Sequence, residues 1–120
     1  MQVILIKSDS KSLMDEKIAG FSKDILEKTI LSYPENTIDD ILEEASFVSM
    51  FGDKKCVLVK NASFFGTMKL TDKDTEKLLK YFNNPNSLTT LIFTTYEDVD
   101  SRKNITKSLI NQNAYIEIKA

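Results

Sequence analysis

The sequence contains no histidine, a single cysteine and a single arginine among its 120 residues. Without histidine, the chain lacks the commonest general base and metal ligand of proteins. One cysteine, Cys56, excludes an internal disulfide bond and is typical of a chain that works in a reducing compartment, so we expect a cytoplasmic location. Because Cys56 lies inside an apolar run, we expect a small buried core residue.

Long apolar runs are also missing. None approaches the roughly 20 residues that a helix needs to cross a bilayer, and Met1-Gln2 leads straight into a strand-like run without the basic start of a signal peptide. The composition, 42% hydrophobic and 28% charged, is that of one soluble globular domain. The net charge is −2 and the lysines are interspersed with acidic residues, so we expect neither membrane contact nor direct DNA binding.

Glycine is scarce, with three residues in the chain. A phosphate-binding loop after the first strand needs glycines to wrap backbone N–H groups around the phosphates. The segment from Lys7 to Ser12 ends in Lys-Ser but has no glycine, and no Gly-x-Gly-x-x-Gly occurs elsewhere. The acidic pairs Asp39-Asp40 and Glu43-Glu44, like Asp98 and Asp100, fit solvated helix faces and helix starts. We therefore expect no catalytic residue, no metal site and no cofactor.

What the sequence does have is a regular alternation of strand and helix patterns. Short apolar runs predict five strands, at 3–6, 29–33, 56–60, 90–94 and 115–118. Four helices lie between them, with predicted starts near Ser10 or Ser12, Asn36 or Thr37, Thr71, and Asp100 or Ser101. Their apolar stripes are Met14, Ile18, Phe21 and Ile25; Ile38, Ile41, Leu42 and Ala45; Leu78, Leu79 and Phe82; and Ile105 and Leu109. This order predicts an α/β fold with a mainly parallel five-stranded sheet, helices on both faces and the last strand at an edge.

The stretch from Ser46 to Asn61 organises these patterns. Its second half is a buried strand, and its first half places Met50 and Phe51 directly before Gly52 and an Asp-Lys-Lys turn. We expect the pair to sit at a helix-to-strand corner with at least one side chain exposed, and the two lysines, at 54 and 55, to be solvated. In the next loop, Phe64, Phe65 and Met68 are expected to pack inward or against another domain.

This stretch resembles the delta subunit of the bacterial DNA polymerase III clamp loader. The similarity is carried by Ser49-Met50-Phe51-Gly52-Asp53-Lys54-Lys55, by Cys-Val-Leu-Val-Lys-Asn after it and by Ala62-Ser63-Phe64-Phe65. The downstream order, a helix after Leu70-Thr71, then Asn83-Asn84-Pro85-Asn86, then a strand, fits as well. The resemblance covers residues 29–118 well and the first 28 loosely.

The resemblance implies an AAA+-type domain without a functional P-loop. It would be the N-terminal domain, spanning residues 1–120, with the lid and collar domains absent. The family's role implies a non-catalytic subunit of a DNA-directed DNA polymerase (nucleotidyltransferase) holoenzyme that binds and opens the sliding clamp. Met50 and Phe51, flanked by Ser49 and Gly52, would enter an apolar pocket of the clamp. ATP hydrolysis would belong to other loader subunits, which join through the missing C-terminal domain.

Two other functions fit the same pattern. A receiver-like or degenerate nucleotide-binding signalling domain shares the alternation and the length. A receiver, however, needs an aspartate at the end of the third strand, and this chain has Asn61 there. It also needs acidic residues after the first strand to hold a magnesium ion, and this chain has only Asp9. A protein-interaction scaffold of unrelated descent would also have no active site.

Overall fold

The computed structural model describes residues 2–120 and is built on one five-stranded sheet. The strands are β1 Val3–Ser8, β2 Glu27–Ser32, β3 Lys55–Lys60, β4 Thr89–Thr95 and β5 Tyr115–Ile118. The helices are α1 Lys11–Ser22, α2 Ile38–Ser46, α3 Asp72–Asn83 and α4 Asn104–Asn111, and a short 3-10 helix spans Ser63–Phe65. All the strand pairs are parallel, so the predicted fold class and element order are confirmed.

The strands are arranged in the order β2-β3-β4-β1-β5. As predicted, β5 is an edge strand, and β2 forms the other edge. In a receiver-like sheet the first strand lies between the second and the third, whereas here β1 lies between β4 and β5. The strand order therefore excludes the receiver alternative.

The two faces of the sheet are covered unequally. Helices α2, α3 and α4 pack on one face over the larger core, which includes Phe64, Phe65, Phe82 and Phe93 in mutual ring contact. On the other face, α1 alone covers a smaller cluster that includes Met14 and the buried Cys56. Cys56 is the small buried core side chain that the sequence predicts, and burial raises the pKa of its thiol.

Three of the predicted helix starts are confirmed by their capping hydrogen bonds. Ser10 Oγ accepts from the Leu13 N–H at 3.3 Å, and Thr71 Oγ1 caps α3 in the same way. At α2, Thr37 Oγ1 accepts from the N–H of Asp40 at 3.1 Å while the Asp40 carboxylate accepts from the N–H of Thr37. This reciprocal pair satisfies two of the backbone donors that every helix leaves open at its start.

The predicted start of α4 is wrong. The helix begins at Asn104, with Lys103 as the N-cap and no side-chain cap. Asp100, the predicted cap, instead accepts hydrogen bonds from the backbone N–H and the guanidinium of Arg102 in the preceding turn. These bonds lower the pKa of the Asp100 carboxyl. The Asp100 carboxylate therefore makes its hydrogen bonds within the preceding turn and does not cap α4.

One smaller prediction also needs correction. Helix α1 ends at Ser22, so Ile25 lies beyond the helix, although it still packs against the cluster under α1. Phe64 and Phe65 are fully buried as expected, and Met68 is 45% exposed, so its packing against another domain stays a prediction.

Two glycine-to-alanine substitutions should have opposite effects on stability. A Cβ at Gly66 would lie 2.4 Å from the backbone oxygen of Asp98, so Gly66→Ala should lower the free energy of unfolding by about 1–3 kcal/mol. A Cβ at Gly20, inside α1, meets no atom within 4 Å, so Gly20→Ala should raise it by about 0.5–1 kcal/mol. Urea unfolding of both variants measures the difference, and equal effects would contradict this account of the Gly66 contact.

Candidate functional site

The loop between α2 and β3, residues 47–54, exposes four large apolar side chains. Met50 is 90% exposed and Phe51 82%, and the two residues that leave the helix, Phe47 and Val48, are also more than half exposed. Large apolar side chains in contiguous exposed groups mark interaction surfaces in soluble proteins. The sequence predicted that at least one of Met50 and Phe51 points outward, and both do.

A tight turn explains why both side chains project. The N–H of Gly52 donates to the carbonyl oxygen of Ser49 at 3.0 Å, which closes a four-residue turn with Met50 and Phe51 at its two central positions. The Ser49 hydroxyl also accepts from the N–H of Asp53 at 3.2 Å. Helix α2 ends at Ser46 and β3 begins at Lys55, so Met50 and Phe51 lie on a turn at the helix-to-strand corner that the sequence predicts.

Gly52 has a backbone conformation that other residues rarely adopt. Its φ is +65°, in the left-handed region, although a Cβ there would meet no neighbouring atom. The glycine is therefore needed for the backbone angle and not for space. Ser49 and Gly52, which the sequence placed beside Met50 and Phe51, shape the turn that presents them.

The start of this loop is fixed by hydrogen bonds to the end of α2. The last carbonyl groups of a helix have no partner within the helix. Here the carbonyl oxygen of Ala45 accepts from Thr89 Oγ1 at 2.9 Å and from Asn86 Nδ2 at 3.2 Å, with the Tyr81 hydroxyl at 3.4 Å. Burial raises the pKa of Tyr81. Side chains from α3, from β4 and from the connection between them thus hold the base of the loop.

Lys55, predicted to be solvated, is buried. Its side chain is 4% exposed, and its Nζ donates to the carbonyl oxygen of Glu44, the residue before Ala45. The same Nζ lies 3.8 Å from the Glu44 carboxylate and 5.1 Å from the centroid of the Phe47 ring. A buried ammonium group requires such partners, and here they tie the first residue of β3 to the end of α2. Lys54 is exposed, as predicted.

Sequence reasoning missed Lys55 and the exposure of Phe47 and Val48. For Phe47 a signal existed, because it lies two residues after Ala45, the last residue of the α2 apolar stripe, and so falls outside the spacing of three and four. Val48 lies three residues after Ala45 and continues that spacing, so its exposure had no such signal. For Lys55 there was no local signal, since its partners lie about ten residues away in the chain and only the fold brings them together.

The opposite end of the sheet, where α/β folds usually bind ligands, has a different character. In the loop after β1, the Ser8 hydroxyl donates to the Ser10 carbonyl oxygen and accepts from the Ser10 N–H at 3.0 Å, so these groups bond each other. Lys11 extends along the surface of α1 and pairs with Asp15 at 2.7 Å. At the end of β3, Asn61 donates to the Tyr33 carbonyl oxygen at 2.7 Å.

Residues 2–120 lack the features of two further types of site. No three His, Cys, Asp or Glu side chains in this range converge in a way that could hold a metal ion. Within the same range, no helix combines the length and apolarity that crossing a membrane requires.

A family model for the DNA polymerase III delta subunit matches residues 3–119, almost the whole chain. The chain belongs to the DNA polymerase III delta subunit family. The delta-family resemblance that the residues around Met50 and Phe51 suggested is thereby confirmed. A comparison with curated protein sequences finds no significant match.

Solved structures agree with the fold of this delta-family chain. The Bacillus subtilis DNA clamp loader delta protein YqeN superposes with a TM-score of 0.85 over 99% of the chain, at 22% sequence identity. A DNA polymerase III gamma subunit-related protein from Thermotoga maritima superposes with a TM-score of 0.57 over 98% of the chain, at 16% identity. The chain spans 38% and 40%, respectively, of the lengths of these two proteins.

Replacing Lys55 should destabilise the delta-family chain. In Lys55→Met the side-chain stem remains packed, but the Glu44 carbonyl loses its donor, so the free energy of unfolding should fall by about 1–3 kcal/mol. Lys54→Met, at the exposed neighbouring position, should change it by less than about 0.5 kcal/mol. Urea unfolding measures both variants, and a Lys55→Met protein as stable as Lys54→Met would show that the buried ammonium does not fasten α2 to β3.

Proposed function

We propose that this chain acts in DNA replication as a clamp-loader component that binds the sliding clamp through Met50 and Phe51. The observation that carries the proposal is the turn at 49–52, which holds both side chains in solvent on a delta-family domain. Membership of the family supports the clamp-loader role, and the exposed apolar pair supplies a contact suited to an apolar pocket. Ser49 and Gly52 contribute the shape of the turn.

The energy available from this contact is sufficient for a specific docking event. Burying a methionine or phenylalanine side chain fully contributes about 1.5–3 kcal/mol, and a few central anchors commonly dominate a protein interface. Methionine adapts its shape to irregular pockets, whereas the phenylalanine ring brings a large rigid area. The pair therefore combines an adaptable anchor with a rigid one.

The proposed mechanism is mechanical and involves no chemistry in this chain. A bound protein shifts its partner between two conformations only by the difference in its affinity for them. The chain would bind the open form of the clamp ring more tightly than the closed form and so hold one ring interface apart. ATP hydrolysis would belong to other subunits of the DNA polymerase III holoenzyme.

Binding of the 120-residue chain to the sliding clamp of the same organism tests the proposal. The Met50→Ala/Phe51→Ala variant should bind at least about 30-fold more weakly, which corresponds to about 2 kcal/mol. Its melting temperature should stay close to that of the parent, because both side chains are exposed. Surface-immobilised clamp and titrated chain provide the affinities.

Met68→Ala is the matched control, since Met68 is another exposed methionine but lies in the loop that follows β3. It should bind like the parent. Failure of the parent chain to bind the clamp contradicts the proposed function. Equal binding by the parent and the double variant would leave the clamp as partner and rule out Met50 and Phe51 as its anchors.

Ring opening needs its own measurement. The chain should accelerate the release of labelled clamp from a singly nicked circular DNA, and the double variant should not. Tight binding without accelerated release would mean that the chain docks on the clamp but does not favour the open ring.

A further inference from the structure

A second exposed apolar residue, Leu26, lies at the same end of the sheet as the turn of Met50 and Phe51. Leu26 precedes β2 and is 100% exposed. The turn of Met50 and Phe51 precedes β3. Because parallel strands begin at the same edge of a sheet, Leu26 and this turn lie at that edge. Six of the nine large apolar side chains exposed within residues 2–120 fall between positions 26 and 51, namely Leu26, Ile30, Phe47, Val48, Met50 and Phe51.

The register of the sheet brings the two segments together. In the β2–β3 pair, Glu27 lies opposite Lys55, the first residue of each strand. Leu26 and Lys54 directly precede these two residues, so they lie side by side where the two strands begin. Both line one surface depression of about 310 Å³, together with Asp24, Ile25, Glu27 and Asp53. Asp53 directly follows the turn of Met50 and Phe51 and donates its N–H to the Ser49 hydroxyl, so the depression reaches from Leu26 to the end of that turn.

The neighbouring residue fixes the position of Leu26. Ile25 packs against the cluster under α1, and its N–H donates to the carbonyl oxygen of Ser22 at 3.0 Å. On the other side, Glu27 is already paired in the sheet. The backbone at position 26 is therefore held from both directions while its side chain lies fully in water. When a partner covers Leu26, the side-chain rotamers need ordering but the backbone that carries them does not.

We infer that Leu26 is part of the clamp-binding surface, as a second apolar contact beside the Met50-Phe51 turn. The inference rests on the proposed function and deepens it, because it makes docking a two-segment contact. A single anchor leaves the bound domain free to rotate about it, whereas a second contact on a neighbouring strand fixes its orientation. A fixed orientation is what a domain requires if it is to favour one conformation of the ring over another.

Three substitutions at Leu26 test the inference with the clamp of the same organism as the probe. Leu26→Ala should weaken binding about threefold to tenfold, and Leu26→Asp should weaken it further by placing a charge in an apolar contact. Leu26→Met, which keeps the apolar volume, should bind within about twofold of the parent. None should change the melting temperature appreciably, because the side chain touches no core residue at 100% exposure. The loss of affinity in Leu26→Ala should change little with salt concentration, since the contact removed is apolar.

The outcomes separate this inference from the proposed function. If the Met50→Ala/Phe51→Ala variant loses binding and Leu26→Ala does not, the proposed function stands and the inference is overturned. If the parent chain does not bind the clamp, both fail. If Leu26→Ala weakens binding while Met68→Ala does not, and its effect adds to that of Phe51→Ala, the second contact is supported. An equal loss in Met68→Ala would show a nonspecific apolar effect and overturn the inference.

Discussion

The open carbonyl groups at the end of α2 are the constraint on which the presentation of the loop depends. A helix that ends inside a fold must find donors for its last carbonyl groups, and α2 finds them on β3, on β4 and in the connection before β4. Lys55, at the start of β3, donates a hydrogen bond to the carbonyl oxygen of Glu44. Thr89, at the start of β4, and Asn86 before it donate to the carbonyl oxygen of Ala45. Satisfying one helix end therefore joins α2, β3 and β4 at the edge of the sheet where the next residues form the exposed loop.

The carboxyl edge of this sheet, where its parallel strands end, and the amino edge, where they begin, carry different kinds of side chain. In α/β folds the carboxyl edge, where the strands end, is the usual ligand site. Here the polar groups after β1 bond one another, and Asn61 after β3 bonds the backbone of Tyr33. The amino edge, where the strands begin, instead carries the apolar side chains of the α2–β3 loop and of Leu26. A fold widely used to hold small ligands at one edge thus has, in this chain, its exposed Met50-Phe51 pair at the other.

Local patterns predicted the parts of the fold that local physics controls. Apolar runs gave the strands, and Ser10, Thr37 and Thr71 gave three helix starts, because a strand's burial and a cap's hydrogen bond involve only nearby residues. The order of the strands is not a local property, so alternation predicted a parallel sheet but not that β1 lies between β4 and β5. The burial of Lys55 was missed for the same reason. Asp100 failed as a cap because Arg102 is an equally local competitor for its carboxylate. The Met50-Phe51 turn was located correctly, but its role in clamp binding remains a prediction.

The stiffness of the loop matters more to the proposed function than the area of its apolar surface. A flexible loop would adapt to the clamp in either conformation and bind both with similar affinity, and a ligand with equal affinity for two states shifts neither. The turn closed by Ser49 and Gly52, and its base held by Lys55, limit that adaptation. The same hydrogen bonds reduce the entropy lost on docking. Under the proposed function, preorganisation of the turn would serve both affinity and the discrimination between ring conformations, and the buried ammonium group of Lys55 supports the base of the loop from the start of β3.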